Sequence, residues 1–314
     1  MKKWQKILII VVAVILGLGI IKNPVVKTIV TAGASHVMGA RVRIMSFAVG
    51  VFKQGVRIKG LKVYNPRGFP KEVLMDIGQV NVKYKLPAVL KGKLHLPQVV
   101  FDLKELVVIK NKDGKLNIDA LRVVKQKEKK KKSKKMAMQI DELRLNLGKV
   151  IVKDYSKTEL PVVLGYDINV KNKVYKNIKS AQQLAALVML ESIGPAGLKG
   201  AAVYSAPALL GVGLLPAGVA GVLASKDSSI AEYRVSREAA YKKVGKLIKR
   251  IGGNVQEDKK DYLIKAKVYD SDVTVKFSKG KKRGVRVKVT ARKLVVPKPE
   301  VAEGIMYQIS KILK

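Results

Sequence analysis

Residues 56 to 69, VRIKGLKVYNPRGF, and residues 80 to 84, VNVKY, decide how this chain is read. Apolar side chains recur at every second position with Lys, Arg or Asn between them, the period of a strand whose two faces meet different surroundings. Asn65-Pro66 followed by Gly68 is turn chemistry at a strand end. Working outward, the same alternation appears at Val42 and Ile44, at Leu94 and Leu96, and at Leu106 and Val108. It continues through Leu143, Leu145 and Leu147, then Val150 and Val152, then Val162 to Val170. Residues 40–180 therefore read as an antiparallel sheet of short strands, apolar on one side and cationic on the other.

Two short helices interrupt the strands, Leu86 to Lys91 with Pro87 in its first turn, and Asn117 to Val124 after the Asp113-Gly114 turn. The run KQKEKKKKSKK from Lys125 to Lys135 holds eight lysines and one glutamate in eleven residues. It repels itself and offers nothing to bury, so it reads as a solvated linker, with a tether to anionic lipid as the other reading.

Composition agrees with a folded, very basic protein. The 314 residues carry 63 Lys plus Arg against 23 Asp plus Glu, a formal charge of +40, while 48% of the chain is hydrophobic. Disordered polycations are poor in Val, Ile and Leu, and this chain is not. Its charge attracts polyanions, of which an anionic membrane surface is the expected one. Nucleic-acid binding is disfavoured, because aromatics are only 5% of the chain and are scattered, whereas single-strand readers interleave them with basic residues. With no cysteine, disulfides and thiolate metal sites are excluded.

Ile7 to Ile21 is an uninterrupted apolar run of fifteen residues, preceded by Trp4 and Lys6 and followed by Lys22. Interfacial Trp4 and snorkelling Lys6 and Lys22 extend it toward the roughly 20 residues of a membrane span. It reads as an uncleaved N-terminal anchor, a cleaved signal peptide being the alternative. Residues 1–39 then form the anchor and its helical extension. A second stretch from Gly200 to Ala224 holds no charge in 25 residues, and Pro207 and Pro216 interrupt it. A membrane-inserting hairpin, a second span and a helix packed in protein all remain open for it. With the preceding helix Ala181 to Ile193 it makes up residues 181–229. Residues 230–314 read as a small α+β domain. Its first helix spans Arg237 to Ile251 with Ser236 as N-cap, four strands follow, and a last helix spans Glu300 to Leu313.

Catalytic constellations are missing from the sequence. His36 and His95 are far apart, Asp270-Ser271-Asp272 joins two alternating strands as a turn, and SKGKKRG from Ser278 to Gly284 is a basic hairpin tip rather than a phosphate loop. The chain reads as no enzyme, with no cofactor and no metal ligand set.

The apolar N-terminal run, the turn Gly60-Leu61-Lys62-Val63-Tyr64-Asn65-Pro66-Arg67-Gly68-Phe69, the strands up to Asn111, and GKLNIDAL resemble the opening of AsmA-like envelope proteins. Residues 230–314 resemble a small envelope lipoprotein domain with no known chemistry. The AsmA-like resemblance implies an inner-membrane protein with its bulk in the periplasm, connected with phospholipid traffic or outer-membrane integrity, and a one-sided β groove. The fold class expected is therefore strand-rich α+β: an N-terminal transmembrane helix, a one-sided antiparallel β groove with short helices, and a small C-terminal α+β domain. The groove would be lined by Val56, Ile58, Val80, Val82, Leu94, Leu96, Leu106, Val108, Leu143, Leu145, Val150 and Val152, and would hold phospholipid acyl chains. A structural tether without lipid cargo, working through envelope protein partners, is the alternative. If the helices Leu86 to Lys91, Asn117 to Val124 and Ala181 to Ile193 fill the apolar face, there is no groove and lipid binding fails.

Overall fold

In the computed structural model, residues 24, 27–36, 38–50, 53–91, 93–121, 138–156, 159–194, 228–280 and 284–313 are described. Six strands form the first sheet in chain order: β1 (Val42–Gly50), β2 (Gly55–Tyr64), β3 (Val73–Lys83), β4 (Leu94–Lys110), β5 (Met138–Asp154) and β6 (Val162–Ile178). Helix α1 is described over 27–36, α2 (Leu86–Leu90) joins β3 to β4, and α3 (Ala181–Ile193) follows β6. In place of the helix expected from Asn117, one 3-10 turn spans Ile118–Ala120.

Paired positions place the apolar residues in rows across this sheet. One row runs Val49, Val56, Val82, Val99, Leu143, Tyr175, and the next runs Phe47, Ile58, Val80, Phe101, Leu145, Lys173. Beyond them lie Ile44, Leu61, Ile77, Leu103, Leu147, Val170, and then Val42, Val63, Met75, Leu106, Val150, Tyr166. The alternation slips by one residue beside the third row, where spacings of three replace spacings of two: Ile44 to Phe47, Ile58 to Leu61, Ile77 to Val80, Leu103 to Leu106, Leu147 to Val150. Between β3 and β4 and between β5 and β6 the register shifts here, as at bulges, which bend strands and strengthen their twist, while β1/β2 and β4/β5 keep register because the extra residues face each other. Gly60, opposite Met45 where β1 and β2 keep register, is held at φ +60° with Met45 so close that a Cβ would lie 2.9 Å from that side chain's own Cβ. Only glycine takes that conformation freely.

The expected fold class is corrected on two points. No helix among the described residues is long and apolar enough to cross a membrane, which conflicts with an N-terminal transmembrane helix. The run Ile7 to Ile21 and its flanks Trp4, Lys6 and Lys22 lie outside the described residues. Helix α1, the first that is described, has ten described residues in succession, about 15 Å of helix against a hydrocarbon core of about 30 Å. Lys27, Thr28, Thr31, Ser35 and His36 also make it too polar. Second, the sheet is not wholly antiparallel, because β4 and β5 pair in parallel from Leu94 with Met138 to Lys110 with Asp154. A parallel pair needs a crossover of a dozen residues or more, and residues 111–137 supply it.

The C-terminal unit has a second sheet in the order β12 (Val296–Pro297), β11 (Val285–Lys293), β10 (Ser271–Lys279), β9 (Leu263–Val268), β8 (Gly253–Asp258), with β7 (Ser228–Tyr233) also pairing with β11. Helices α4 (Arg237–Ile251) and α5 (Pro299–Ile312) complete its core, in which Val244, Ile248, Ile305 and Ile309 pack with Val275, Phe277, Val287 and Val289. Ser236 caps α4 by accepting from the Ala239 N–H at 3.2 Å. Asp270 lies in the turn between β9 and β10.

Helix α5 also lies against the outer face of the first sheet. Gly304 makes that possible: a Cβ there would stand 2.0 Å from the Val163 carbonyl oxygen, so only a hydrogen lets the helix approach β6 so closely. Lys149 meets Glu303 at 3.0 Å, and the Tyr269 hydroxyl donates to the Pro161 carbonyl at 3.1 Å. Beneath α5, Val107, Ile109, Ile151, Val163 and Tyr307 form a small buried cluster with Phe69 packed against it. The outer face is therefore apolar and covered where the sequence reads Leu106-Val107-Val108-Ile109 and Val150-Ile151-Val152. Unbroken apolar runs of this kind mark strands buried on both faces.

Candidate functional site

All twelve residues expected to line a groove belong to the core cluster of the first sheet or pack against it. Their exposure divides them. Leu106, Val108, Leu143 and Leu145 are 0% exposed, Val150 is 1%, and Val152, Leu96 and Ile58 lie between 6% and 9%. Val56, Val80, Val82 and Leu94 are only half-buried. The face is closed along β5 and toward the C-terminal end of β4, and accessible near the hairpin that joins β1 to β2.

Two of the three expected helical pieces supply cover. From the 3-10 turn, Ile118 and the neighbouring Leu116 and Leu121 enter the core, and from α3 so do Ala186, Leu187, Val188, Met189 and Ile193. Helix α2 buries no residue and leaves Val89 and Leu90 exposed at 40% and 79%.

A polar group lies within this cover. Glu191 of α3 is 2% exposed, and its carboxylate accepts from Lys173 Nζ at 2.8 Å and from the Tyr175 hydroxyl. Lys173 and Tyr175 stand in the inner rows of β6, so the pair holds α3 to the sheet. Burial, and then the Glu191 carboxylate as acceptor and charge, push the Tyr175 hydroxyl well above the usual phenol range. Sequence reading missed this cluster. Its signal was the single carboxylate in Ala185-Ala186-Leu187-Val188-Met189-Leu190-Glu191, since a buried Glu needs a partner.

At the accessible end, Gln54, Lys85, Pro87, Ala88, Lys91 and Lys93 surround a cavity of about 450 Å³. The loops that form it are tied together: the Leu86 N–H donates to Gln54 Oε1 at 2.9 Å, the Tyr84 hydroxyl to the Gly50 carbonyl at 3.3 Å, and the Lys85 N–H to the His95 carbonyl at 3.0 Å. Three lysines thus stand at the same end of the sheet as the half-buried Val56, Val82 and Leu94, although none of those three lines the cavity itself.

The turn motif has a structural place. Gly60 takes φ +60° opposite Met45, Leu61 packs on the inner face, and Phe69 packs on the outer one. Gly68 has φ +91° within the turn that Asn65 and Pro66 begin. Asn65 Nδ2 donates to the Pro70 carbonyl at 2.8 Å.

His36 is exposed, while His95 Nε2 lies 2.7 Å from Asp141 Oδ2 on the outer side of β4 and β5. The His95 hydrogen bond is the largest influence holding the Asp141 carboxyl below its ordinary value. Among the described residues, no group of three His, Asp or Glu side chains could hold a metal ion. The Lys-rich run Lys125 to Lys135 and the apolar stretch Gly200 to Ala224 lie outside the described residues. No family model matches the chain, and comparison with curated proteins and with solved structures finds no match to either.

Proposed function

We propose that this chain is a non-enzymatic lipid-binding protein of the AsmA-like type, working at an anionic membrane surface in the periplasm of a Gram-negative-type envelope. A phospholipid acyl chain lies along Val56, Val80, Val82 and Leu94, and the phosphate meets Lys85, Lys91 and Lys93. The observation that carries the reading is the half-buried apolar end of an otherwise closed face, at the same end of the sheet as a cavity with three lysines around it. Exposed Val89 and Leu90 at the same end offer an apolar contact to the membrane from which lipid enters.

One observation favours the second reading, a structural tether without cargo that binds envelope proteins. Eight of the twelve expected lining residues are buried, and α3 lies over part of the face. Lipid extracted from the purified full chain and quantified by mass spectrometry separates the two. Lipid binding predicts bound phospholipid that Val82→Glu removes, whereas a tether predicts none in either protein.

A further inference from the structure

The hairpin between β11 and β12 carries a feature that the groove does not explain. Lys293 pairs with Val296, so Leu294 and Val295 form a two-residue loop. Leu294 is 86% exposed, Val295 85% and Val296 56%. Leu294 has φ +56°. Two-residue hairpin loops favour Asn or Gly in such conformations, so a leucine here is strained as well as wet. Local folding would be better served by a polar residue at this position.

The surroundings are cationic. Arg292 and Lys293 precede the loop and Lys298 follows it. Asp272 stands opposite Arg292 in β10, Lys267 stands opposite Asp272 in β9, and Glu300 lies 3.8 Å from Lys298. Four cations and two carboxylates thus surround three exposed apolar side chains. An apolar tip on a basic collar matches the boundary of an anionic bilayer, where acyl chains lie just beneath phosphates. We propose that Leu294 to Val296 is a membrane-docking tip, with Leu294 and Val295 entering the acyl boundary and Arg292, Lys293 and Lys298 meeting lipid phosphates. The tip does not depend on the groove holding lipid.

The chain has no cysteine, so Leu294→Cys places one environment-sensitive fluorophore at the tip of the full-length protein. Lys279→Cys, at the other end of β10, is the control. Each protein is mixed with phosphatidylglycerol and phosphatidylcholine vesicles whose acyl chains carry a nitroxide quencher. The expected result is several-fold stronger quenching at Leu294 than at Lys279, reduced when Lys293→Gln and Lys298→Gln are added. Quenching at Leu294 no stronger than at Lys279 overturns the proposal. So does a blue shift at Leu294 before any vesicle is added, which marks a protein contact instead.

Discussion

The Asn117 side-chain amide donates to Asn65 Oδ1 at 2.8 Å, joining the turn that ends β2 to the connection that leaves β4. Asn117 is fully buried and bonded on every side: it also donates to the Val107 carbonyl, and its Oδ1 accepts from the Ile109 N–H, each at 2.9 Å. Fifty-two residues separate the two asparagines, so the contact fixes how the crossover starts. Asn117→Ala strands a buried backbone N–H and a carbonyl. The expected loss is about 2 to 3 kcal/mol of stability, measured by urea unfolding. Asn65→Ala, nearer the surface, costs about 1 kcal/mol.

Glu191 and Lys173 form the polar latch between α3 and β6. Removing one partner of a fully buried pair costs about 3 to 5 kcal/mol. Here the Lys173 side chain is 31% exposed, so Glu191→Ala should cost about 1 to 3 kcal/mol once solvent screening is allowed for. Glu191→Leu combined with Lys173→Met and Tyr175→Phe should recover most of that loss, because neither a charge nor an unpaired hydroxyl then stays buried. Thermal unfolding of the three proteins distinguishes a latch from an incidental contact.

Tyrosine burial gives the fold an alkaline limit. Burial, and then the nearby Glu303 carboxylate, push the Tyr233 hydroxyl up to about 12, against about 10 in an unfolded chain. The folded state therefore favours the protonated phenol. That contribution is complete below about pH 10 and disappears as pH rises from there through about 12. Urea midpoints measured across this range should fall more steeply for the natural protein than for Tyr233→Phe, and equal slopes would contradict the assignment.

Much of the first sheet was legible because Val, Ile and Leu alternate with Lys and Arg. The same stretches also held the signals that were misread. Some spacings of three, such as Leu147 to Val150, are bulges, but alternation read strand by strand treats every one as a break. Leu106-Val107-Val108-Ile109 marks burial on both faces, and a one-sided sheet has no place for it. The partner on the second face, α5, lies some 200 residues away and no local period announces it. The parallel pairing of β4 with β5 follows from a long connection rather than from either strand's residues. For the candidate site, the inner-face positions were readable from their phase. Their exposure was not, because it depends on where α3 and the 3-10 turn pack.

Crosslinking with a phospholipid that carries a photoreactive acyl chain tests the central claim most directly. The full chain is irradiated with this lipid and the adducts are mapped by peptide mass spectrometry. Lipid binding at the open end predicts adducts at Val56, Val80, Val82 and Leu94, with none at Leu106, Val108, Leu143 or Leu145. Adducts absent from the first four, or spread evenly over both sets, would contradict it.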